Sequence, residues 1–500
     1  PHRSNPGVPM KATSSCVIGA FSFALLLSSI SFAQSFQRTI LNSPNTPSDV
    51  FAVDLNRDGK LDLITTQDNT NQVTVFLNRG DGTFPDGGSA TYLTGGIETS
   101  RVTAADFDGD GIIDIATLSC GASNNPGQEI SILFGNGDGT FKPHVDYHLV
   151  STDPPTCEDS LGTITLANAL RPSLIVSSFT SEIAILRNDG HGTFTQQTIV
   201  GRPFQVLSGV SAADYNGDHL QDIAAISRDP SGSPSDIVIF YESPDGSFQQ
   251  PVTIFTFSSF LQAANTVDFN GDGKGDLLVP FFQGVDNRAG VIALTNLGGG
   301  KFRSAVLTAD AFYTFASRKA SAIHPMGNQA GLRGILAPLS PNSNAGHSVF
   351  AFFPAEGTSW GKPIYFDNPN GGSQASAGGD FNSDGRPDFA GADNAGKLYV
   401  FENTTTAATC AYPSVAAVRI CSPASNSTGS PVSKIHASAS GGTLPIVAMK
   451  AYIDGTQVAE SDLNTLDASV TTKAGKHTLT INAWDPNDKV YQSIVKFTAQ

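Results

Sequence analysis

The sequence predicts an all-β protein in which a ring of seven four-stranded antiparallel sheets, a β-propeller, is followed by a small β-sandwich. Three observations predict it: the composition, an acidic nine-residue turn that recurs along the chain, and a second recurring turn that ends in an aromatic residue. Fifty glycines, 29 prolines and only 15% charged residues are typical of many short strands joined by tight turns. Since 500 residues exceed what one hydrophobic core supports, several domains or a closed repeat array are expected.

Residues 10–33 have the features of a secretory signal peptide. Lys11 precedes an apolar run from Val17 to Leu27, and Ser31-Phe32-Ala33 forms a small-x-small cleavage site. The run is shorter than the ~20 residues that a spanning helix needs, so we expect cleavage rather than a membrane anchor. Residues 1–9 then lie upstream of the signal, and no later segment could span a membrane. The mature protein is therefore expected to be secreted or at the cell surface, extracellular or periplasmic, in a bacterium.

The chain is acidic. Its net charge of −16 becomes −18 when Arg3 and Lys11 are removed with the signal. This charge disfavours nucleic acid as a partner, because too few cations are available to neutralise phosphates.

Five nine-residue turns share oxygen-bearing side chains at positions 1, 3, 5 and 9. They are Asp54–Asp62, Asp106–Asp114, Asp214–Asp222, Asp268–Asp276 and Asp380–Asp388. Hard oxygen ligands at alternate positions of a tight turn are typical of Ca²⁺ sites. A metal-free Asx-rich turn is the alternative, because Asp, Asn and Gly favour turns in any case, but recurrence of the full set favours calcium. Position 6 is glycine except at His219, where a positive φ would cause strain and make that site the weakest.

The spacing of these turns counts the repeat units. Their starts are 52, 108, 54 and 112 residues apart, so two gaps are double and seven units are predicted, two of them without the acidic turn. The silent units cover about residues 160–200 and 320–365, where Leu166–Arg171 and Ala322–Arg333 take the place of the turn.

A second marker supports the count. A Gly-rich turn after a strand-like run ends at an aromatic residue in six units: Phe84, Phe141, Phe194, Phe248, Phe302 and Trp360. The seventh run, Lys397–Phe401, lacks this turn, whereas residues 35–40 resemble residues 192–199. The N-terminal strand is therefore predicted to complete the last sheet, which would close the ring and remove exposed edges. An open solenoid is the alternative, but it does not explain the split unit.

The cysteines outside the signal are even in number, as expected in an oxidising compartment. We predict two disulfides, Cys120 with Cys157 and Cys410 with Cys421. Two other pairings are possible from the sequence, and free thiols are the alternative to both.

The C-terminal part has a different pattern. The ring is assigned to residues 34–403, residues 404–410 are a linker, and residues 411–500 show alternating apolar runs with an Asp454-Gly455 hairpin turn. Ninety residues of this kind predict a small β-sandwich.

Together, the acidic loop and the aromatic turn resemble the FG-GAP, or VCBS, repeat of integrin-α-like β-propellers, over roughly residues 36–403. In that family the loop binds Ca²⁺ within each blade. Carried over by position, the resemblance implies side-chain ligands at positions 1, 3, 5 and 9 and a backbone carbonyl at position 7. The five sets are Asp54, Asn56, Asp58, Lys60 and Asp62; Asp106, Asp108, Asp110, Ile112 and Asp114; Asp214, Asn216, Asp218, Leu220 and Asp222; Asp268, Asn270, Asp272, Lys274 and Asp276; and Asp380, Asn382, Asp384, Arg386 and Asp388. Residues from 411 on resemble the immunoglobulin-like domains of secreted bacterial proteins, more loosely.

These features favour a calcium-stabilised, non-enzymatic binding or adhesion module for an extracellular glycan or protein. Up to five structural calcium ions and no catalytic residues are expected, because each loop supplies nearly all the oxygens itself. The alternatives are a lyase-like enzyme acting on an extracellular polysaccharide and a purely structural surface protein. The inserts Ser119–Glu129, Val150–Leu161 and Arg228–Asp236 are the candidate recognition surface.

Overall fold

The computed structural model describes most of residues 36–499. Outside the description lie residues 1–35, which include the predicted signal, and residues 68, 86–88, 121–126, 150–159, 178–180, 201–204, 230–233, 259, 262–263, 269–271, 284–287, 309–312, 316–323, 327–333, 342–347, 357–358, 361–362, 369–372, 384–387, 394, 405–412, 414–415, 424, 426–427, 430–431, 442–445, 462–463 and 500. The described residues form strands and turns without a helix, so that part of the chain has no helix able to cross a membrane.

Thirty-one of the described strands precede residue 404. In chain order they are β1 Phe36–Asn42, β2 Pro47–Val53, β3 Asp62–Gln67, β4 Gln72–Phe76, β5 Ser89–Leu93, β6 Glu98–Ala105, β7 Asp114–Cys120, β8 Gln128–Leu133, β9 Val145–Leu149, β10 Ser160–Ile164, β11 Ser173–Ser177, β12 Glu182–Asn188, β13 Phe194–Val200, β14 Val206–Ala213, β15 Asp222–Arg228, β16 Ser235–Phe240, β17 Val252–Phe257, β18 Phe260–Leu261, β19 Asn265–Val267, β20 Asp276–Gln283, β21 Arg288–Gly298, β22 Lys301–Thr308, β23 Tyr313–Phe315, β24 His324–Met326, β25 Gly334–Pro341, β26 Ser348–Glu356, β27 Ser359–Trp360, β28 Ile364–Asn368, β29 Ser373–Gly379, β30 Asp388–Asp393 and β31 Lys397–Asn403.

These strands form antiparallel sheets, seven among the described residues, which we number along the chain. Sheets 1 to 4 are β2–β5, β6–β9, β10–β13 and β14–β17, sheet 5 is β18–β22, sheet 6 is β23–β28, and sheet 7 has the order β1-β31-β30-β29. In sheets 5 and 6, pairs of short strands share one position, because β18 and β19 both pair with β20, and β23 and β24 both pair with β25. The all-β fold of mostly four-stranded sheets is the predicted class.

The first strands of successive sheets contact one another in a closed cycle. Strand β2 contacts β6, β6 contacts β10, β10 contacts β14, β14 contacts β19, β19 contacts β24, β24 contacts β29, and β29 contacts β2. This arrangement is consistent with a β-propeller, in which first strands lie near the axis and fourth strands lie at the rim.

The chain closes this cycle through its N-terminal strand. Strand β1 pairs antiparallel with β31, in a register that sets Phe36 opposite Asn403 and Asn42 opposite Lys397. Phe36 is 8% exposed, and its ring lies 4.9 Å from that of Phe366 in sheet 6. Phe36 is therefore held by backbone pairing of its strand with residues 397–403 and by aromatic packing on Phe366.

The core lies between neighbouring sheets. Second and third strands carry apolar side chains on both faces, as expected for strands covered on both sides. For example, Ile64 and Val75 of sheet 1 pack with Val102 and Ile115 of sheet 2, and all four are nearly or fully buried. Each buried aliphatic side chain stabilises the fold by about 1.5–3 kcal/mol before entropy is counted.

The C-terminal strands form two sheets around a shared core. They are β32 Ala417–Ser422, β33 Thr428–Gly429, β34 Val432–Ser440, β35 Ala448–Ile453, β36 Thr456–Ser461, β37 Thr465–Thr471, β38 Gly475–Trp484 and β39 Val490–Ala499. One sheet has the order β32-β34-β37 and the other β33-β39-β38-β35-β36. Ile435 and Leu466 of the first sheet pack with Met449 and Ile481 of the second, so this part is a β-sandwich. Its relation to immunoglobulin-like domains stays a prediction.

Candidate metal centres

The predicted metal loops connect the first and second strands of sheets 1, 2, 4, 5 and 7, and we number each loop by its sheet. Loops 1, 2 and 4 are described in full. In loop 5 the predicted ligand Asn270 lies outside the described residues, and in loop 7 the same holds for Asp384 and Arg386. The remaining predicted ligands are placed within their loops.

Backbone N–H groups hold the side-chain oxygens of these loops in a repeated pattern. The position-1 carboxylate Oδ2 accepts the N–H of position 6 at 2.9 Å for Asp54 and Gly59, 3.2 Å for Asp106 and Gly111, 2.8 Å for Asp214 and His219, and 2.8 Å for Asp268 and Gly273. The position-5 Oδ1 accepts the N–H of position 7 at 2.9 Å for Asp58 and Lys60, 2.7 Å for Asp110 and Ile112, 2.9 Å for Asp218 and Leu220, and 3.0 Å for Asp272 and Lys274. The position-3 Oδ1 accepts the N–H of position 5 at 3.0 Å for Asn56, 3.2 Å for Asp108 and 2.8 Å for Asn216. These bonds turn the oxygens of each loop toward its centre.

The position-9 aspartate is buried and ties the loop to its own sheet. Its Oδ2 accepts the N–H of position 2, at 2.9 Å for Asp62, 2.8 Å for Asp114, 3.1 Å for Asp222 and 2.8 Å for Asp388. Its Oδ1 accepts an N–H near the end of the third strand, at 2.8, 2.9, 2.9 and 2.6 Å in the same order. Burial raises the pKa of Asp62, Asp114 and Asp222 to about 6, against these hydrogen bonds. A divalent cation in the loop would favour the ionised form.

Positions 4 and 6 have left-handed backbone in loops 1, 2 and 4, the loops that are described in full. At position 6, φ is 81° for Gly59, 79° for Gly111 and 70° for His219, so the histidine does occupy a conformation that strains a residue with a Cβ. Position 4 is also left-handed, with φ of 64° at Arg57 and 58° at Ser383, which the sequence analysis did not anticipate. Glycine at position 4 of the sequences of loops 2, 4 and 5 was the available signal.

The oxygens of loops 1 and 2 fit a hard cation. Side-chain oxygens of Asp106, Asp108 and Asp114 lie within 4.8 Å of one another. Within the described part of the chain, Oδ1 of Asp54 is buried and has no hydrogen-bond partner. A buried carboxylate oxygen without a donor is costly, and a Ca²⁺ ion that takes six to eight oxygens would satisfy it. Asp54, Asn56, Asp58 and Asp62, and their counterparts in the other loops, are the residues that would hold the ion.

The silent unit of sheet 3 keeps part of the loop geometry, although Leu170 at position 6 is not left-handed. Residues 165–173 connect β10 to β11 with the same nine positions. Asn168 at position 4 has φ of 60°, and the hydroxyl of Ser173 at position 9 accepts the N–H of Asn188 at 3.1 Å, as the aspartate does elsewhere. The corresponding part of sheet 6 lies mostly outside the described residues.

In sheets 1, 3 and 5, an asparagine that sequence reasoning treated only as part of the aromatic turn joins the sheet to the loop of the preceding sheet. Its Nδ2 donates to the position-8 carbonyl of its own sheet and to the position-2 carbonyl of the preceding loop; we call this the asparagine clasp. The distances are 3.0 and 2.7 Å for Asn78 to Leu61 and Phe381, 2.9 and 2.9 Å for Asn188 to Pro172 and Phe107, and 3.2 and 3.3 Å for Asn296 to Gly275 and Tyr215. The recurrence of Asn before the Gly-rich turn was its sequence signal.

The aromatic residue that ends the turn packs on the same junction. Its ring contacts the position-2 ring of the preceding loop at 6.3 Å for Phe84 and Phe381, 5.7 Å for Phe194 and Phe107, and 6.1 Å for Phe302 and Tyr215. The loops are therefore built into the contacts between sheets and not suspended in solvent.

The predicted disulfides are described only in part. Cys120 ends β7 and Cys421 lies in β32, and both are disulfide-bonded. Their predicted partners Cys157 and Cys410 lie outside the described residues, so the pairing stays a prediction. Much of the three candidate recognition inserts lies outside them as well.

Residues 54–117, which include loops 1 and 2, match the FG-GAP-like repeat family model. No curated protein matches the sequence. Among solved structures, the chain is similar to the crystal structure of Chaetomium thermophilum Raptor, with a TM-score of 0.46 and 10% sequence identity over 75% of this chain. The similarity spans 29% of the Raptor chain.

Proposed function

We propose that this chain, which carries an FG-GAP-like repeat at residues 54–117, is a secreted seven-bladed β-propeller that binds an extracellular glycan or protein and is stabilised by up to five calcium ions. Its action is that of a binding or adhesion module without catalysis. The observation that carries the calcium proposal is the buried, unpartnered Oδ1 of Asp54 within a loop of inward-turned oxygens. A bound ion would supply charge compensation for the carboxylates of its loop.

The location of the loops supports a structural role for the ion. Position 2 of loops 2, 4 and 7 contacts the next sheet through the asparagine clasp and the aromatic turn, so fixing these loops also fixes a junction between sheets. Extracellular calcium modules bind at about 10⁻⁴–10⁻³ M, which suits a stabilising ion outside the cell.

The opposite edge of the sheets is the proposed ligand-binding face. Metal loops and aromatic turns follow first and third strands, so antiparallel topology puts both at one edge. The register β6-β7-β8-β9 puts Glu98, Cys120, Gln128 and Leu149 together at the other edge. The three candidate inserts leave from this second edge, where connection lengths differ among sheets, as expected for a recognition surface.

Calcium binding is tested by metal analysis and thermal melting of the full chain, with two matched variants. Asp58→Ala removes a proposed position-5 ligand, whereas Asp81→Ala removes an exposed aspartate of the aromatic turn that accepts hydrogen bonds from the N–H and the hydroxyl of Thr83. Asp58→Ala should bind one calcium ion per chain fewer than the wild type and should melt at a lower temperature in the presence of calcium. Asp81→Ala should bind as many calcium ions as the wild type. At a hundredfold excess over Kd, each ion contributes about 2.7 kcal/mol. Identical calcium content in both variants would refute the assignment of loop 1.

Ligand binding is tested on a glycan array with and without EDTA, followed by mass spectrometry of the glycans that bind. Binding without a change in glycan mass supports the module. Cleavage of a bound polysaccharide would instead support the lyase-like alternative.

A further inference from the structure

Loop 2 differs from the other metal loops in charge. It has aspartate at positions 1, 3, 5 and 9, whereas the other four have asparagine at position 3 and three carboxylates. Oxygens of Asp106, Asp108 and Asp114 lie within 4.8 Å of one another. Four carboxylates in one turn repel each other, so a nearby cation lowers the free energy of this loop more than that of the others.

The silent loop of sheet 3 supplies such a cation. Arg171, at position 7 of residues 165–173, has Nη1 3.2 Å from Oδ2 of Asp106, and its Nη2 donates to the carbonyl of Gly109 at 3.1 Å. A Cβ on Gly109 would lie 2.7 Å from Nε of Arg171, so the glycine at position 4 leaves room for the guanidinium. With Arg171 included, the net charge of loop 2 falls from −4 to −3, which equals that of loop 4, whereas loops 1, 5 and 7 contain their own Lys or Arg and have net charges of −1, −2 and −2.

On the basis of the proposed calcium binding, we propose that Arg171 is a built-in competitor of calcium at loop 2. A calcium ion ligated by Asp106 would lie about 2.3–2.6 Å from a carboxylate oxygen, so the ion and the guanidinium would share one carboxylate at close range and repel each other. Arg171 therefore raises the calcium concentration at which loop 2 fills. At low calcium, the contacts of Arg171 with Asp106 and Gly109 link sheet 3 to sheet 2.

Solvent limits the size of this effect. The side chain of Arg171 is 37% exposed and that of Asp106 is 19% exposed, so water and salt screen the repulsion. We expect about a fivefold change at most in the half-saturating calcium concentration, not a change of several orders of magnitude. The opposite role, in which Arg171 orients Asp106 and strengthens calcium binding, predicts the opposite sign.

Calcium titration followed by hydrogen–deuterium exchange mass spectrometry resolves single loops in the full chain. The readouts are protection of peptides covering residues 106–114 and 214–222. Arg171→Gln should lower the half-saturating calcium for 106–114 by up to about fivefold and leave 214–222 unchanged, and the difference should shrink in high salt. Arg171→Lys keeps the charge and should stay near the wild type. Arg79→Gln, which removes an exposed arginine of sheet 1, is the control and should change neither peptide.

A second variant keeps the inference testable if Arg171→Gln does not fold. Arg171→Met also removes the charge while keeping an unbranched side chain, and should likewise lower the half-saturating calcium for 106–114. An unchanged or raised value in Arg171→Gln, with normal protection of 214–222, would overturn the role of Arg171 alone. Absence of calcium-dependent protection in both peptides of the wild type would overturn the proposed calcium binding itself.

Discussion

The asparagine clasp gives the sharpest prediction for the stability of the ring. Asn78 is 3% exposed, its Nδ2 donates to Leu61 O at 3.0 Å and Phe381 O at 2.7 Å, and its Oδ1 accepts the N–H of Gly80 at 2.8 Å. Asn78→Ala removes all three bonds. Since each contributes a net ~0.5–1.5 kcal/mol and buried carbonyls are left without donors, the variant should lose about 2–4 kcal/mol of unfolding free energy.

Asn136→Ala is the matched control. In sheet 2, Gly135 occupies the clasp position, and Asn136 lies in the exposed turn, where its Nδ2 donates to Thr140 Oγ1 at 2.9 Å. Its removal should cost less than about 0.5 kcal/mol, as for an ordinary surface substitution. The measurement is urea unfolding with differential scanning calorimetry in saturating calcium.

Asn78→Asp separates hydrogen bonding from packing. It keeps the shape of the side chain but turns a carboxylate toward two carbonyl oxygens, so it should destabilise the protein more than alanine does. The reasoning is wrong if Asn78→Asp matches the wild type, or if Asn78→Ala and Asn136→Ala lose the same amount.

Two further predictions concern single residues. His219→Gly should stabilise the protein by about 1 kcal/mol, because φ of 70° strains a residue with a Cβ and the side chain is 97% exposed; His219→Ala should give no such gain in melting temperature. In the sandwich, the hydrogen bond between Nδ1 of His477 and Oδ2 of Asp454, at 2.7 Å, raises the pKa of His477 and lowers that of Asp454. The pair therefore stabilises most between about pH 4 and 6.5; the benefit is lost as pH rises through the folded pKa of His477 or falls through that of Asp454. His477→Gln should cost less than about 1 kcal/mol at pH 5.5 and nothing at pH 9, and equal losses at both would contradict the pairing.

The repeated loops could be predicted from the sequence because their determinants are local. Asp, Asn and Gly within nine consecutive residues determine the hydrogen bonds of the side chains and the left-handed backbone at position 6. The loop can therefore be predicted without knowledge of its tertiary contacts. The pairing of β1 with β31 could also be predicted, because residues 35–40 resemble the fourth strand of another unit, and the last unit lacks a fourth strand of its own.

Contacts between units could not be predicted in the same way. The bond from Asn78 to Phe381 joins residues 303 positions apart, and the asparagine alone suggests only a turn. Arg171 was missed for a related reason: a loop without carboxylates suggests a lost site, and only the fold brings its arginine against Asp106 of the preceding loop. The left-handed backbone at Arg57, position 4 of loop 1, could not be predicted from the residue type, because glycine is the residue expected in that conformation.

Loop 3 shows which features of the loop geometry form without carboxylate side chains. It has no carboxylate, yet Asn168 keeps the left-handed position 4 and Ser173 replaces the position-9 aspartate as acceptor for Asn188. These two features of the loop therefore form without carboxylates, and we expect calcium to stabilise the ring without being required to form it. Chelation with EDTA should lower the melting temperature but leave the far-UV circular dichroism at 25 °C unchanged. Loss of the β signal on chelation would show that the carboxylate repulsion in the other five loops exceeds what their backbone bonds can hold.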